Sequence, residues 1–265
     1  LKELLGQGAF NWVIAAQKAS VDGSKIKGAI KLAKPSTSRD TFVHEFKTLQ
    51  RIDSPYIPKV LDSGIASVLL NKTEWQFPWF AIEIIKADTL EEEVEQHGIL
   101  HKQEWLELAH DLLCAVSATH EAGIIHLDIK PDQILRHSRR SILVDFGNST
   151  MANVLDDGAI GISHYMYASP EQVNPNQDQE DLGYESDIFN VGSTLVYAGT
   201  GVPPWDPPSR SGNIRNFKGS LLTRMTTIPP RTEGLDDEQK RIIDLMLQTN
   251  PANRTSAADA LDLIR

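Results

Sequence analysis

The stretch Ile125-His126-Leu127-Asp128-Ile129-Lys130-Pro131-Asp132-Gln133-Ile134-Leu135, followed shortly by Leu143-Val144-Asp145-Phe146-Gly147, decides how the remaining residues are read. Ile142, Leu143 and Val144 form an apolar run that predicts a buried strand. Ile134-Leu135 predicts its partner, with the polar His137-Ser138-Arg139-Arg140 as the turn. Asp128 falls just before one strand and Asp145 just after the other, so both carboxylates are expected at one end of the hairpin. Two close carboxylates repel unless a cation lies beside them. Lys130 and a bound Mg²⁺ are the candidates, because a hard dication takes carboxylate and amide oxygens.

His126-Leu127-Asp128-Ile129-Lys130-Pro131-Asp132-Gln133 together with Asp145-Phe146-Gly147 resembles the catalytic loop and metal-binding turn of eukaryotic-type (Hanks-type) Ser/Thr protein kinases, in a form closer to bacterial members. The resemblance implies an α+β, bilobal fold. Residues 1–85 would form a small antiparallel β-sheet lobe with one helix, and residues 86–265 a larger, mainly α-helical lobe. It also implies ATP and Mg²⁺ (or Mn²⁺) as cofactors, a protein as phosphate acceptor, and Ser/Thr as the accepting residue, since Lys130 stands two places after Asp128.

Working back toward the N-terminus, residues 4–14 read as strand, glycine turn, strand. Alone this fits a plain glycine hairpin. In kinase terms Gly6 and Gly8 would close over the nucleotide phosphates and Val13 would cover the base. Asn11 stands where a third glycine is usual, and Asn tolerates positive φ better than most residues. Gly28-Ala29-Ile30-Lys31-Leu32 is a strand whose single Lys either snorkels at an edge or, by resemblance, holds the α- and β-phosphates, with Ala29 beside the nucleotide. Phe42, Phe46, Leu49 and Ile52 recur at near-helical spacing after a candidate capping box, Thr37-x-x-Asp40. Glu45 beside that apolar face is the natural partner for Lys31. Three further strands are expected at residues 59–64, 67–70 and 77–85. The last resembles the hinge, with Ile82 as gatekeeper, Glu83 and Ile85 offering backbone groups to adenine, and Leu135 as a further nucleotide contact.

Toward the C-terminus, residues 89–96 and 104–121 read as helices, the second stopped by Gly123. His97 and His101 are read as loop histidines, since Gly98 separates them and no third ligand is near. Residues 148–163 resemble an activation segment. It closes on Ser169-Pro170-Glu171, whose carboxylate should pair with Arg254 of Asn250-Pro251-Ala252-Asn253-Arg254. Asp187 in Ser186-Asp187-Ile188-Phe189 should hydrogen-bond the catalytic-loop backbone. Residues 236–248 and 256–265 should supply the last two helices.

Composition sets the outer bounds. The 265 residues, 40% hydrophobic, suffice for one large or two small cores. No run is long and apolar enough for a membrane span, and no signal-peptide pattern is present. A net charge of −10 without a basic stripe argues against nucleic acid as a partner. The lone Cys114 suits a reducing cytoplasm. A start at Leu1 and an end within a helical pattern suggest a domain with further sequence on its flanks.

Three residues depart from the family pattern. Leu127 replaces the Arg that often grips a phosphorylated activation loop, so activity independent of that phosphorylation is expected. Gln133 replaces the Asn that holds a second Mg²⁺, keeping the amide oxygen on a longer arm. His164 stands where a Thr usually faces the catalytic Asp. These departures leave two rivals to a protein kinase: a nucleotide-binding pseudokinase scaffold and a small-molecule kinase.

Overall fold

The computed structural model describes residues 3–7, 11–19, 25–34, 39–70, 73–137, 139–151, 165–174, 182–208 and 214–264. Gly8, Thr37, His164 and most of the 148–163 segment lie outside the described residues. The chain divides into two units. One comprises Leu1–Asp53, Ile57–Lys86 and Asp145–Gly147; the other comprises Ser54–Tyr56, Ala87–Val144 and Asn148–Arg265.

In the first unit, strands β1 (Glu3–Gln7), β2 (Asn11–Ala19), β3 (Lys25–Ala33), β4 (Val60–Leu70) and β5 (Thr73–Glu83) form an antiparallel sheet of order β1-β2-β3-β5-β4. Helix α1 (Arg39–Leu49) lays Phe42 and Phe46 on Phe80 of β5, with ring centroids 5.1 and 5.8 Å apart. Burying aromatic faces this way fixes a one-helix layer on the sheet. The sequence reading broke β4 near Gly64, but the strand runs unbroken and pairs with β5 from Val60↔Ile82 to Leu70↔Thr73. Gly64 is there for close approach, because a Cβ would lie 2.9 Å from Cζ2 of Trp79. β5 correspondingly begins at Thr73 rather than at Phe77.

In the second unit, β6 (Asp88–Thr89) leads into α2 (Leu90–His97), whose Thr89/Glu92 capping box satisfies donors at both ends of the first turn. Helix α3 (Lys102–Glu121) buries Trp105, Leu108, Leu112, Leu113 and Val116, and Gly123 ends it in the left-handed region at φ 75°. After β7 (Ile124–Ile125), β8 (Ile134–His137) pairs with β9 (Arg140–Leu143), and β6 adds to the free edge of β8. His137 pairs with Arg140, so the turn is tighter than expected. Val144 lies beyond the strand, its N–H donating to the Gln133 carbonyl at 2.9 Å. Strand β10 (Thr150–Met151) pairs with β7.

The remaining helices are α4 (Pro170–Val173), α5 (Tyr184–Thr200), α6 (Ile214–Thr227), α7 (Asp237–Met246) and α8 (Ala257–Ile264). α5 is buried at every position from Ser186 to Gly199, the mark of a central helix. Trp105 of α3 donates its indole N–H to the Leu195 carbonyl at 2.7 Å. Helix α6 was not expected. Its apolar Phe217, Leu221 and Met225 recur every fourth residue and are buried, but Gly219 and a Thr-rich end mask the pattern. No helix among the described residues is long and apolar enough to cross a membrane.

One ion pair ties α4 to the C-terminal part of this unit. Arg254 donates Nη1 to Glu171 Oε1 at 2.6 Å and Nη2 to Oε2 at 2.8 Å. Its other donors reach the carbonyls of Gln248 and Glu185, and Ser186 Oγ donates to Glu171 at 2.7 Å. Both side chains are buried, with exposures of 0% and 3%. Burial pushes the Glu171 carboxyl up, but Arg254 and Ser186 outweigh it and hold it below its ordinary value of 4.5. A carboxyl depressed on folding stabilises the fold above its unfolded pKa and loses that contribution as pH falls through its folded one. Glu171→Gln strands a buried guanidinium and should cost about 3–5 kcal/mol in urea unfolding at pH 7. The gap between parent and variant should close as pH drops below 4.5; a pH-independent gap would contradict this account.

Candidate active site

In the first unit, β3 holds Lys31 between Val13 of β2 and Phe80 of β5. Lys31 is 7% exposed, and its Nζ bonds Glu45 Oε1 from α1. Asp145 Oδ1 stands 3.7 Å from the same Nζ. Burial lowers the Lys31 pKa, but Glu45 and Asp145 more than reverse it, so the ammonium stays protonated well above the ordinary lysine range. Burial pushes the Glu45 carboxyl up while Lys31 pulls it back. The Phe42 and Phe46 contacts on the sheet are what bring Glu45 to Lys31.

Asp145 has φ 65°, a left-handed conformation that is uncommon away from glycine, and its Oδ1 accepts from the Gly147 N–H at 3.3 Å. Phe146 beside it is fully buried, whereas the Asp145 side chain is 41% exposed. Its anchoring neighbour therefore points inward while the carboxylate keeps an open side.

Gly6, Val13, Ala29 and Glu83 lie on the same sheet. Gly6 pairs with Val13 across a β-bulge. Ala29 pairs with Ile82, and the Glu83 N–H donates to the Lys59 carbonyl. Gly28 is needed for close approach, since a Cβ would lie 3.0 Å from the Ile82 carbonyl oxygen. Ile85 follows β5 and is half-buried. Gly8 lies outside the described residues.

In the second unit, the loop after β7 hangs on Asp187 of α5. This carboxylate is fully buried and accepts from the His126 N–H at 2.8 Å, the Leu127 N–H at 2.8 Å and His120 Nε2 at 2.9 Å. A buried charge with three charge-assisted hydrogen bonds is far less costly than a bare one. Leu127 has φ 63°, a strain of about 1–2 kcal/mol for a non-glycine residue. Gln172 Nε2 grips its carbonyl at 2.9 Å, and Gln172 Oε1 accepts from the Ser169 N–H and from Asn190 Nδ2. The sequence reading foresaw Asp187 but not His120, Gln172 or Asn190. Their signal was polarity inside buried elements, and the Ser169-x-x-Gln172 spacing of a capping box.

The held loop presents Asp128, 6% exposed, with Lys130 Nζ 3.5 Å from its Oδ1 and Asn148 Nδ2 donating to its Oδ2 at 2.9 Å. Lys130 Nζ is also 3.4 Å from Asp132. Burial opposes its charge, but Asp128 and Asp132 raise its pKa overall. The 3₁₀ turn Pro131–Gln133 follows, and Leu135 sits on β8 opposite Ile142.

Among the described residues, no group of three His, Cys, Asp or Glu could hold a metal alone, and His97 and His101 form no such site. Asp145 in the first unit and Gln133 in the second each carry an oxygen donor of the hard kind that a divalent cation takes.

A sheet unit with a buried Lys–Glu pair and a helical unit with an Asp–Lys loop are the parts of a protein-kinase type of fold. The family model described as the protein kinase domain matches residues 1–263, and the chain belongs to that family. It is 30% identical to the serine/threonine-protein kinase AfsK of Streptomyces coelicolor, over 96% of this chain and 30% of that protein. Identity is 27% to the serine/threonine-protein kinase pkn3 of Myxococcus xanthus, over 98% of this chain and 48% of the relative. It is also 27% to the serine/threonine-protein kinase PknB of Mycobacterium tuberculosis, over 100% and 42%. The chain thus spans less than half the length of these bacterial relatives.

Lys31→Met would leave Glu45 buried without its cation and should cost about 3–5 kcal/mol of stability by urea unfolding. The double variant Lys31→Met/Glu45→Leu should lose less than the single one. Additive losses would show that the pair is not coupled.

Proposed function

We propose that this domain transfers the γ-phosphoryl group of ATP to a Ser or Thr hydroxyl of a protein. The observation that carries the reading is the Lys130 ammonium beside the buried Asp128 carboxylate. Asp128 orients the acceptor hydroxyl and takes its proton, while Lys130 neutralises charge on the transferred group. Lys31, fixed by Glu45, holds the α/β-phosphate end. Gly6, Gly8, Val13, Ala29, Glu83, Ile85 and Leu135 contact the nucleotide, residues 1–85 and 86–265 acting as the two lobes. Asp145 and Gln133 would hold Mg²⁺, or Mn²⁺ in its place, which when bound would neutralise phosphate oxygens.

Leu127 lacks the guanidinium that would read a phosphorylated activation segment, so activity is constitutive in that respect. The names of the bacterial relatives support Ser/Thr acceptors over small molecules. The retention of Lys31, Glu45, Asp128, Lys130 and Asp145 supports catalysis over a scaffold, which needs no such set. A cytoplasmic setting accompanies the use of ATP and is supported by a cysteine count of one, Cys114.

The test is transfer from γ-labelled ATP with Mg²⁺ to the chain itself and to a generic basic protein. Label should appear with the parent, survive phosphatase pretreatment, and vanish in Asp145→Asn. Absence of label alongside a rise in melting temperature with ATP would make the chain a nucleotide-binding scaffold. Gln133→Asn should keep or raise turnover, since it shortens the arm carrying the same amide oxygen; a collapse would mean the site is built around Gln.

A further inference from the structure

The kinase reading assigns the base but leaves unexplained what aims its carboxylate. Asp128 is nearly buried, and Lys130 Nζ at 3.5 Å from Oδ1 is a loose contact. Among the described residues, a short bond to its side chain comes from Asn148 Nδ2, 2.9 Å from Oδ2. Asn148 is itself exposed, so packing does not dictate its side chain. Yet the amide turns inward onto a buried carboxylate.

Backbone register explains how it gets there. β10 pairs antiparallel with β7, Thr150 opposite Ile125 and Met151 opposite Ile124. Continuing that register by two residues sets 148 opposite 127, next to Asp128 in the chain. The β7–β10 ladder thus ties the residue following the Asp145-Phe146-Gly147 turn to the catalytic loop. The opposite side of that loop is held by Asp187 and Gln172 through Leu127.

We propose that Asn148 is a positioning residue for the base: its amide N–H occupies one lone pair of Asp128 Oδ2 and, with Lys130 on Oδ1, fixes the carboxylate plane toward the acceptor hydroxyl. This rests on the kinase reading above. The amide takes no part in proton transfer. The proton of the acceptor hydroxyl passes to an Asp128 oxygen as its O–P bond forms and the bond to the ADP oxygen breaks. Neutral Asn suits the place, because a donor is needed without a second charge beside Lys130 and Asp132.

The test compares Asn148→Asp, Asn148→Ala and Asn148→Gln in the full chain with Mg²⁺·ATP and a protein acceptor. Asn148→Asp keeps the shape but replaces the donor with a second carboxylate, and Asn148→Ala removes the group. A hydrogen bond to a charged group predicts a kcat loss of about tenfold to a hundredfold in both. KM for ATP should stay within about twofold, because the amide touches Asp128 and not Lys31 or Asp145. Asn148→Gln, with room at an exposed position to restore the donor, should recover most of the loss.

Turnover within about twofold of the parent in both Asn148→Asp and Asn148→Ala would overturn the role. So would a Gln variant as impaired as Ala with all three melting temperatures lowered alike, which marks a merely structural tether. A parent chain that transfers no phosphate would sink the kinase reading and this role together, whereas an active parent with indifferent Asn148 variants sinks the role alone.

Discussion

A single buried carboxylate, Asp187, is the constraint on which the helical unit depends. It sits with no exposure on a helix that is buried along most of its length, and three donors converge on it. Two of those donors are consecutive backbone N–H groups of the loop that carries Asp128. The core helix therefore dictates the conformation of the Asp128 loop directly, through hydrogen bonds too costly to leave unmade in the interior. That grip is what maintains Leu127 in a left-handed conformation its own side chain disfavours.

Around this anchor, polar residues inside the unit form a linked set. Gln172 bonds the Leu127 carbonyl, Asn190 bonds Gln172 and the Tyr167 carbonyl, and Glu171 one residue earlier is clamped by Arg254. A short four-residue helix thus reaches the C-terminal region with one side chain and the Asp128 loop with the next. Buried networks of this kind specify one arrangement because each unsatisfied member would be heavily penalised. In the sheet unit the same logic recurs on a smaller scale. Lys31 and Glu45 are buried together, and aromatic packing of α1 on β5 sets their separation.

Much of this was legible in the chain because catalysis demands particular residue types at close spacing. Asp128 with Lys130, Asp145 before Phe146-Gly147, and Lys31 in an apolar strand announce themselves locally. Glu45, Glu171 and Arg254 were legible only through family resemblance, since each is an ordinary charge taken alone. The structure pairs them as that resemblance implied. Elements whose shape depends on distant packing were read less well. β4 runs through Gly64 because Trp79 covers the glycine, and α6 hides its apolar repeat behind Gly219 and its threonines.

Reading the chain alone reveals the family, most of the larger elements and the chemical identity of the groups at the candidate site. Those follow from side-chain chemistry and short-range pattern, which a linear chain carries explicitly. Folding alone reveals which further polar residues meet: Asp187 with His120, Gln172 with Leu127, and Asn148 with Asp128. These contacts span 20 to 67 positions along the chain. Nothing local marks an exposed Asn or a helical Gln as a partner until strand register and helix packing bring the two ends together, and hydrogen bonds form only at that range.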